Sequence, residues 1–225
     1  LDDLAARYLD LESAFEPEDD VEVVDRFAAE VLNQRRIGSD LLDIASNRLT
    51  VSFWMNHNET IATGGRDTVV DKLLNATADG YSFEITDTSN VENVRFVVEA
   101  ATCSDLSAVP VGVWAHYTGT YDGSNLRVYR DGQLVRTCAS TVTITASTKP
   151  LLFGKSTDLS GREFDGLIDD VRIYNRALSS DEIKTIYRSG QTRINASQTD
   201  FLKNGLVGHW SFDGKFFNRG KALDT

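Results

Sequence analysis

Three carboxylates at every second position, Glu18, Asp20 and Glu22, form the one run whose spacing suits bond-cleaving chemistry. On a strand, residues two apart share a face. Two carboxyls on one face can act as nucleophile and acid–base across a glycosidic bond. Pro17 just before the run, and no flanking aromatic platform to hold a sugar, predict solvated strand-face carboxylates instead. Nucleophilic catalysis has less behind it. The only histidines, His57, His116 and His209, stand in no Gly-x-Ser-x-Gly frame. No glycine-rich phosphate loop leads into a helix, and Thr63–Asp67 reads as a turn. The sequence therefore predicts a protein that is not an enzyme, with no catalytic residues and no organic cofactor.

Binding chemistry is better represented. The chain carries 34 acidic and 23 basic residues, a net charge of −11. A field of that sign repels phosphate backbones and anionic membranes, so neither nucleic acid nor a membrane is an expected partner. Acidity of this kind serves solubility, or it serves Ca2+, whose hard charge requires carboxylate and carbonyl oxygens. Asp165, Asp169 and Asp170 cluster in a strand-like segment. Cys103 and Cys138 each sit in a strand-like context. On neighbouring strands they would form a disulfide and indicate an oxidising compartment; otherwise they are two buried thiols. Zinc is excluded, because no second Cys or His lies at ligand spacing.

The elements that position these residues are mostly strands. Asp20–Val24 and Leu49–Met55 alternate, while Val94–Val98 and Thr141–Thr145 are rich in β-branched residues. Asn125–Val135 holds two short alternating runs around Asp131-Gly132, a pair suited to the positive φ angles of a tight hairpin turn. Asp122-Gly123 marks a further turn. Two helices are expected, at Phe27–Asn33 and Ser179–Tyr187. In the second, a serine precedes acidic residues at the start and Gly190 suits the end. The 225 residues, 41% of them hydrophobic, suffice for one large β domain, and no apolar run is long enough to span a bilayer. Leu1–Tyr8 lacks the basic start and apolar stretch of a signal peptide. Many short strands with turns between them predict an all-β sandwich or jelly roll.

Several of these segments, in order, resemble laminin G-like domains of the concanavalin A-like jelly-roll class. Tyr8–Glu12 with Asp19–Val24 resembles that family's early strand pair, and Leu49–Trp54 its next strand. Trp114–Gly123 with the following hairpin resembles the central strands. Leu152–Lys155 and Phe164–Leu178 resemble the closing ones. The family usually opens with a strand of the type Gly-Leu-Val-x-x-Trp-x-Phe-Asp. Here that pattern stands near the other end, as Gly205-Leu-Val-Gly-His-Trp-Ser-Phe-Asp213.

The resemblance implies an all-β, concanavalin A-like sandwich of two antiparallel sheets with one or two short helices over residues 1–190. A linker over 191–204 would follow, then a segment over 205–225. That last segment either opens a further repeat, completes this sandwich, or completes a neighbouring molecule by strand exchange through residues 205–213. The resemblance further implies calcium held by Asp213 with Asp165 or Asp170. It implies interior places for Trp54, Trp114 and Trp210. Tyr81, Tyr121, Phe216 and Phe217 read as loop residues, freer to contact a ligand. The expected function is extracellular or cell-surface recognition and adhesion toward carbohydrate or surface protein. A structural repeat assembling by strand exchange is the alternative, and a glycoside hydrolase a distant third.

Overall fold

The computed structural model describes residues 42, 44, 47–58, 61, 64–74, 79–87, 91–147, 149–156, 159–191, 204–210, 216–218 and 221–223. The carboxylates Glu18, Asp20 and Glu22, the expected strand at Asp20–Val24, the expected helix at Phe27–Asn33 and Asp213 lie outside them.

Two antiparallel sheets face each other. The larger contains β1 (Leu49–His57), β6 (Trp114–Tyr121), β7 (Asn125–Arg130), β8 (Gln133–Ala139), β10 (Gly166–Tyr174) and β11 (Leu206–Trp210), in the order β11-β10-β1-β6-β7-β8. The smaller contains β2 (Arg66–Leu74), β3 (Asp79–Asp87), β4 (Glu92–Val98), β5 (Ala101–Ser104) and β9 (Leu152–Phe153), in the order β5-β4-β3-β2-β9. A short hairpin, β12 (Phe216–Asn218) with β13 (Lys221–Leu223), forms a two-stranded sheet of its own.

Alternation decides which side chains meet between the sheets. Leu49, Val51, Phe53 and Met55 of β1 point inward, as do Tyr81, Phe83 and Ile85 of β3 and Val94, Phe96 and Val98 of β4. Phe53 meets Phe83 edge-on at 4.9 Å, Phe83 stacks on Phe96 at 4.8 Å, and Tyr117 lies over Phe53 at 6.3 Å. Gly119 of β6 makes room for this stack. A Cβ there would lie 2.6 Å from Phe96 and 2.7 Å from Phe83.

Both sides of the sandwich are tied. On one, Cys103 of β5 and Cys138 of β8 form a disulfide that links the edge strands of the two sheets. On the other, Phe153 of β9 meets Trp210 of β11 edge-on at 5.2 Å. β11 carries the displaced Gly-Leu-Val pattern, and it pairs with β10 of its own chain, from Leu206↔Tyr174 to Trp210↔Val171. Gly205 enters the strand at φ 73° and accepts a hydrogen bond from Asn175 N–H at 2.8 Å.

The expected hairpin turn is present, with φ 50° at Asp131 and 75° at Gly132. The expected strand at Thr141–Thr145 is absent. Its β-branched run crosses one end of the sandwich and buries Ile144. Its backbone groups bond side chains instead of a neighbouring strand: Ile144 N–H donates to Asn47 Oδ1 at 2.8 Å, Thr145 N–H to Glu99 Oε1 at 2.7 Å, and Tyr121 Oη–H to Val142 O.

Among the described residues, the helix α1 (Ser180–Gln191) lies on the outer side of the larger sheet, where Ile183 and Ile186 pack with Tyr129, Tyr174 and Leu178. Its start is a reciprocal cap. Ser179 Oγ accepts from Glu182 N–H at 3.3 Å, and the Glu182 carboxylate accepts from Ser179 N–H at 2.8 Å. Ser179→Ala is expected to cost about 1 kcal/mol, read as a shift of the urea midpoint. Gly190 has a different role from the helix stop expected of it. It lies within the helix, and a Cβ there would meet the Trp54 indole nitrogen at 2.2 Å.

Candidate recognition surface

Of the acidic residues expected to hold calcium, Asp165 and Asp170 are described and Asp213 is not. Asp165 precedes β10, and its carboxylate accepts from Asn58 Nδ2 at 3.2 Å. Asp170 lies five residues on, in mid-strand, on the order of 15 Å away along an extended chain, which is beyond the reach of two carboxylates on one ion. Asp170 sits at φ 49°, where the β1–β10 register shifts. Its Oδ1 already faces two side chains, Arg172 Nη2 at 2.9 Å and His209 Nε2 at 2.6 Å. Asp165 and Asp170 therefore stand as alternative partners for Asp213, not as two ligands of one ion. Among the described residues, no group of three His, Cys, Asp or Glu side chains is placed to hold a metal.

The Ser–His contact in the fold is closed to substrate. Ser52 Oγ and His116 Nε2 are 2.8 Å apart, with Thr118 Oγ1 donating to Ser52 Oγ at 3.2 Å. All three are buried on the outer side of the larger sheet. Burial, with the nearby Arg172 charge, lowers the His116 pKa to about 3. An imidazole held neutral so far below its usual range is a poor proton acceptor at neutral pH.

The expected aromatics take other places. Tyr81 and Tyr121, read as loop residues, are strand residues of the core. Trp210 packs against the core as expected. Trp54 faces outward from the core and stacks on Tyr187 of α1 at 5.5 Å, beside His116 at 5.2 Å.

What the fold does assemble is a rim. At one end of the sandwich the described residues between strands are tied together: His57 pairs with Val111, Ile61 N–H donates to the Glu92 side chain, and Val109 N–H donates to Glu92 O at 3.0 Å. Val91 (40% exposed) projects just before β4, and Leu106 (63%), Val111 (45%) and Val113 (57%) project between β5 and β6. Among the described residues, the other exposed large hydrophobics, Leu134 and Val135, lie on the edge strand β8. Exposed aliphatic side chains gathered at one place cost solvation and call for a partner.

A buried polar cluster holds that rim. His57 is fully buried at the end of β1, with Nδ1 3.5 Å from Glu92 and Nε2 3.8 Å from Asp67. Phe164 stacks on its ring at 5.6 Å. The His57 carbonyl accepts from Gly112 N–H at 2.7 Å, and the Glu92 side chain accepts from Ile61 N–H. Beside them, Arg130 pairs with buried Asp105 at 2.6 Å and donates to Ser107 O at 3.0 Å. These loops thus hang on polar side chains contributed by β1, β2, β4 and β7.

The outer face of the smaller sheet continues from this rim. Glu84 of β3 is buried and carries guanidinium partners on two sides. Arg95 of β4 donates Nε–H to it at 3.1 Å, with Nη2 closer still, and Arg162 Nη1 lies 3.5 Å from its other oxygen. Arg66, at the rim end of β2, is the third guanidinium. Its pKa is lowered by burial and by the Arg95 and Arg162 charges, against the pull of Glu84. Neither surface was legible beforehand, because the rim residues span Val91 to Val113 and the arginines span Arg66 to Arg162 without a repeating pattern.

The chain matches none of the curated proteins. Solved structures share the fold at low identity. A candidate carbohydrate binding protein of Bacteroides ovatus matches at 14% identity and a TM-score of 0.58, over 78% of this chain and 50% of that one. The chain therefore spans about half the length of that protein. A heptameric SAP-like pentraxin of Limulus polyphemus matches at 16% identity and TM-score 0.56, over 79% and 82% of the two chains. The binding domain of botulinum neurotoxin serotype D matches at 17% identity and TM-score 0.51, over 64% and 36%. Each of these shows likeness of fold. A laminin G family model matches residues 34–184, and with it the two-sheet topology is accounted for: the chain belongs to the concanavalin A-like lectin/glucanases superfamily.

Proposed function

We propose that this domain is a non-catalytic, extracellular recognition module that binds carbohydrate or surface protein through the rim bearing Val91, Leu106, Val111 and Val113. The observation that carries the reading is the gathering of these exposed aliphatic side chains on loops pinned by His57, Glu92 and Asp105. A rigid backbone presenting apolar groups binds without a large ordering cost. The carbohydrate arm leans on the Bacteroides ovatus protein named for carbohydrate binding, a relative in fold. The extracellular setting leans on the Cys103–Cys138 disulfide, a bond that persists in oxidising compartments. No described helix is long and apolar enough to cross a membrane. The buried Ser52–His116 pair supports a non-catalytic reading.

The test is binding to a glycan array and to intact cells, by the full chain and by the double variant Leu106→Asp, Val113→Asp, with and without a calcium chelator. Both side chains are more than half exposed, so the variant is expected to keep its melting temperature. Its binding should weaken by roughly tenfold or more, the loss expected of central apolar contacts. Binding by the variant equal to that of the parent chain would remove the rim from the account. Loss of binding with the chelator would bring calcium back into it.

A further inference from the structure

We propose that the outer face of the smaller sheet, next to the rim, holds an anion subsite built by Arg66, Arg95 and Arg162, which takes the carboxylate or sulfate of an acidic saccharide. The inference rests on the recognition reading above and assigns the chemical class of its ligand. The register places the groups together. Arg95 pairs across the ladder with Glu84, Thr68 pairs with Glu84 from the other side, and Arg66 pairs with Thr86 one row nearer the rim. Arg162 joins from the segment that runs beside β2, where Thr68 N–H donates to Arg162 O at 2.9 Å.

A buried carboxylate such as Glu84 needs a cation, and a structural role explains Arg95, whose guanidinium holds it with two nitrogens. It does not explain three guanidiniums around one carboxylate. Arg162 is only loosely engaged at 3.5 Å, and among the described residues Arg66 has no ion-pair partner. The cluster carries two positive charges in excess within a chain of net charge −11. Guanidiniums crowded in this way repel one another, which the lowered Arg66 pKa reflects after burial. A ligand anion would relieve that repulsion. The planar fork of arginine matches a carboxylate or sulfate with paired hydrogen bonds, and Glu84 fixes one of the three forks in advance. Carboxylate and sulfate share this chemistry; a uronic acid supplies the first and a sulfated sugar the second.

Isothermal titration calorimetry at physiological salt would use an oligogalacturonate, a heparin-derived hexasaccharide and neutral laminarihexaose as probes. The proteins would be the full chain, Arg66→Gln/Arg162→Gln and Leu106→Asp/Val113→Asp. Arg95 is left in place so that Glu84 keeps its partner. The full chain is expected to bind at least one acidic probe, and Arg66→Gln/Arg162→Gln to bind it roughly ten- to a hundredfold more weakly, the range of one or two charge-assisted hydrogen bonds. Binding of the oligogalacturonate identifies the carboxylate source, and binding of heparin alone the sulfate source. If neither acidic probe binds, or if Arg66→Gln/Arg162→Gln binds like the parent, the subsite is overturned. Binding of laminarihexaose that Leu106→Asp/Val113→Asp loses would leave the recognition reading standing in that event. An acidic probe lost with the arginines but retained by the rim variant would overturn the rim and uphold the subsite.

Discussion

Phe83→Ala is expected to destabilise the domain by about 3–5 kcal/mol, the cost of deleting a fully buried aromatic ring and leaving part of its volume empty. Phe83 has no exposed surface and lies at the centre of the packing between the sheets, edge-on to Phe53 at 4.9 Å and stacked on Phe96 at 4.8 Å. Collapse into the hole is hindered, because the ring rests on the bare backbone of Gly119, which has no side chain to move inward. Net stability of a single domain is about 5–15 kcal/mol, so the loss is a large fraction of the whole. Urea unfolding should show a lower midpoint at nearly unchanged slope. Phe83→Leu should cost less, since it keeps more of the volume. A loss below about 1 kcal/mol for Phe83→Ala would mean that the ring is not packed between the sheets.

Removing the disulfide by replacing both Cys103 and Cys138 with alanine should cost about 4 kcal/mol, on the chain-entropy estimate for a loop whose ends are 35 residues apart. For a domain of this size that corresponds to a melting temperature lower by roughly 8–16 °C. The position of the bond adds a local consequence. It joins the edge strand of one sheet to the edge strand of the other, so its loss frees β5 and β8 on the side away from β11. Reductant should destabilise the parent protein by a similar amount and leave the alanine variant unaffected. A parent protein whose melting temperature ignores reductant would show that the bond does not form in solution.

The latch on the opposite side bears on the three readings of the Gly205–Asp213 pattern. Within this structure the strand serves its own sheet, with the pairing extended by the 2.6 Å contact between His209 and Asp170. The same contact ties Asp170 to the edge strand. Its carboxylate is occupied by the side chains that hold the edge strand in place.

Much of the domain was legible along the chain, and what was legible is local. Alternation marked β1, β-branched content marked β4, Asp131-Gly132 marked the hairpin turn, and Ser179 with Glu182 marked the helix start. Each of these is decided within a few residues, by strand period, by the φ angles a turn demands, or by a side chain reaching the nearest unpaired N–H. Local patterns misled where distant neighbours decided. Thr141–Thr145 has strand composition but meets no strand partner, and Gly190 has the look of a helix stop but serves the close approach of Trp54. Tyr81 and Tyr121 seemed free only because the facing sheet cannot be seen from either segment.

The sequence by itself determined the sandwich class, most of the strands, the turns that join them and the two cysteines available to be paired. Only the tertiary structure decided that those cysteines sit on opposing edge strands, that Asp165 lies just before β10 and Asp170 within it, and that Arg95 and Arg162 hold Glu84 with Arg66 one ladder row nearer the rim. The reason is physical. Strand period and turn chemistry act between residues adjacent in the chain, whereas a binding surface is made by the register and order of strands, and these are set by burial summed over both sheets.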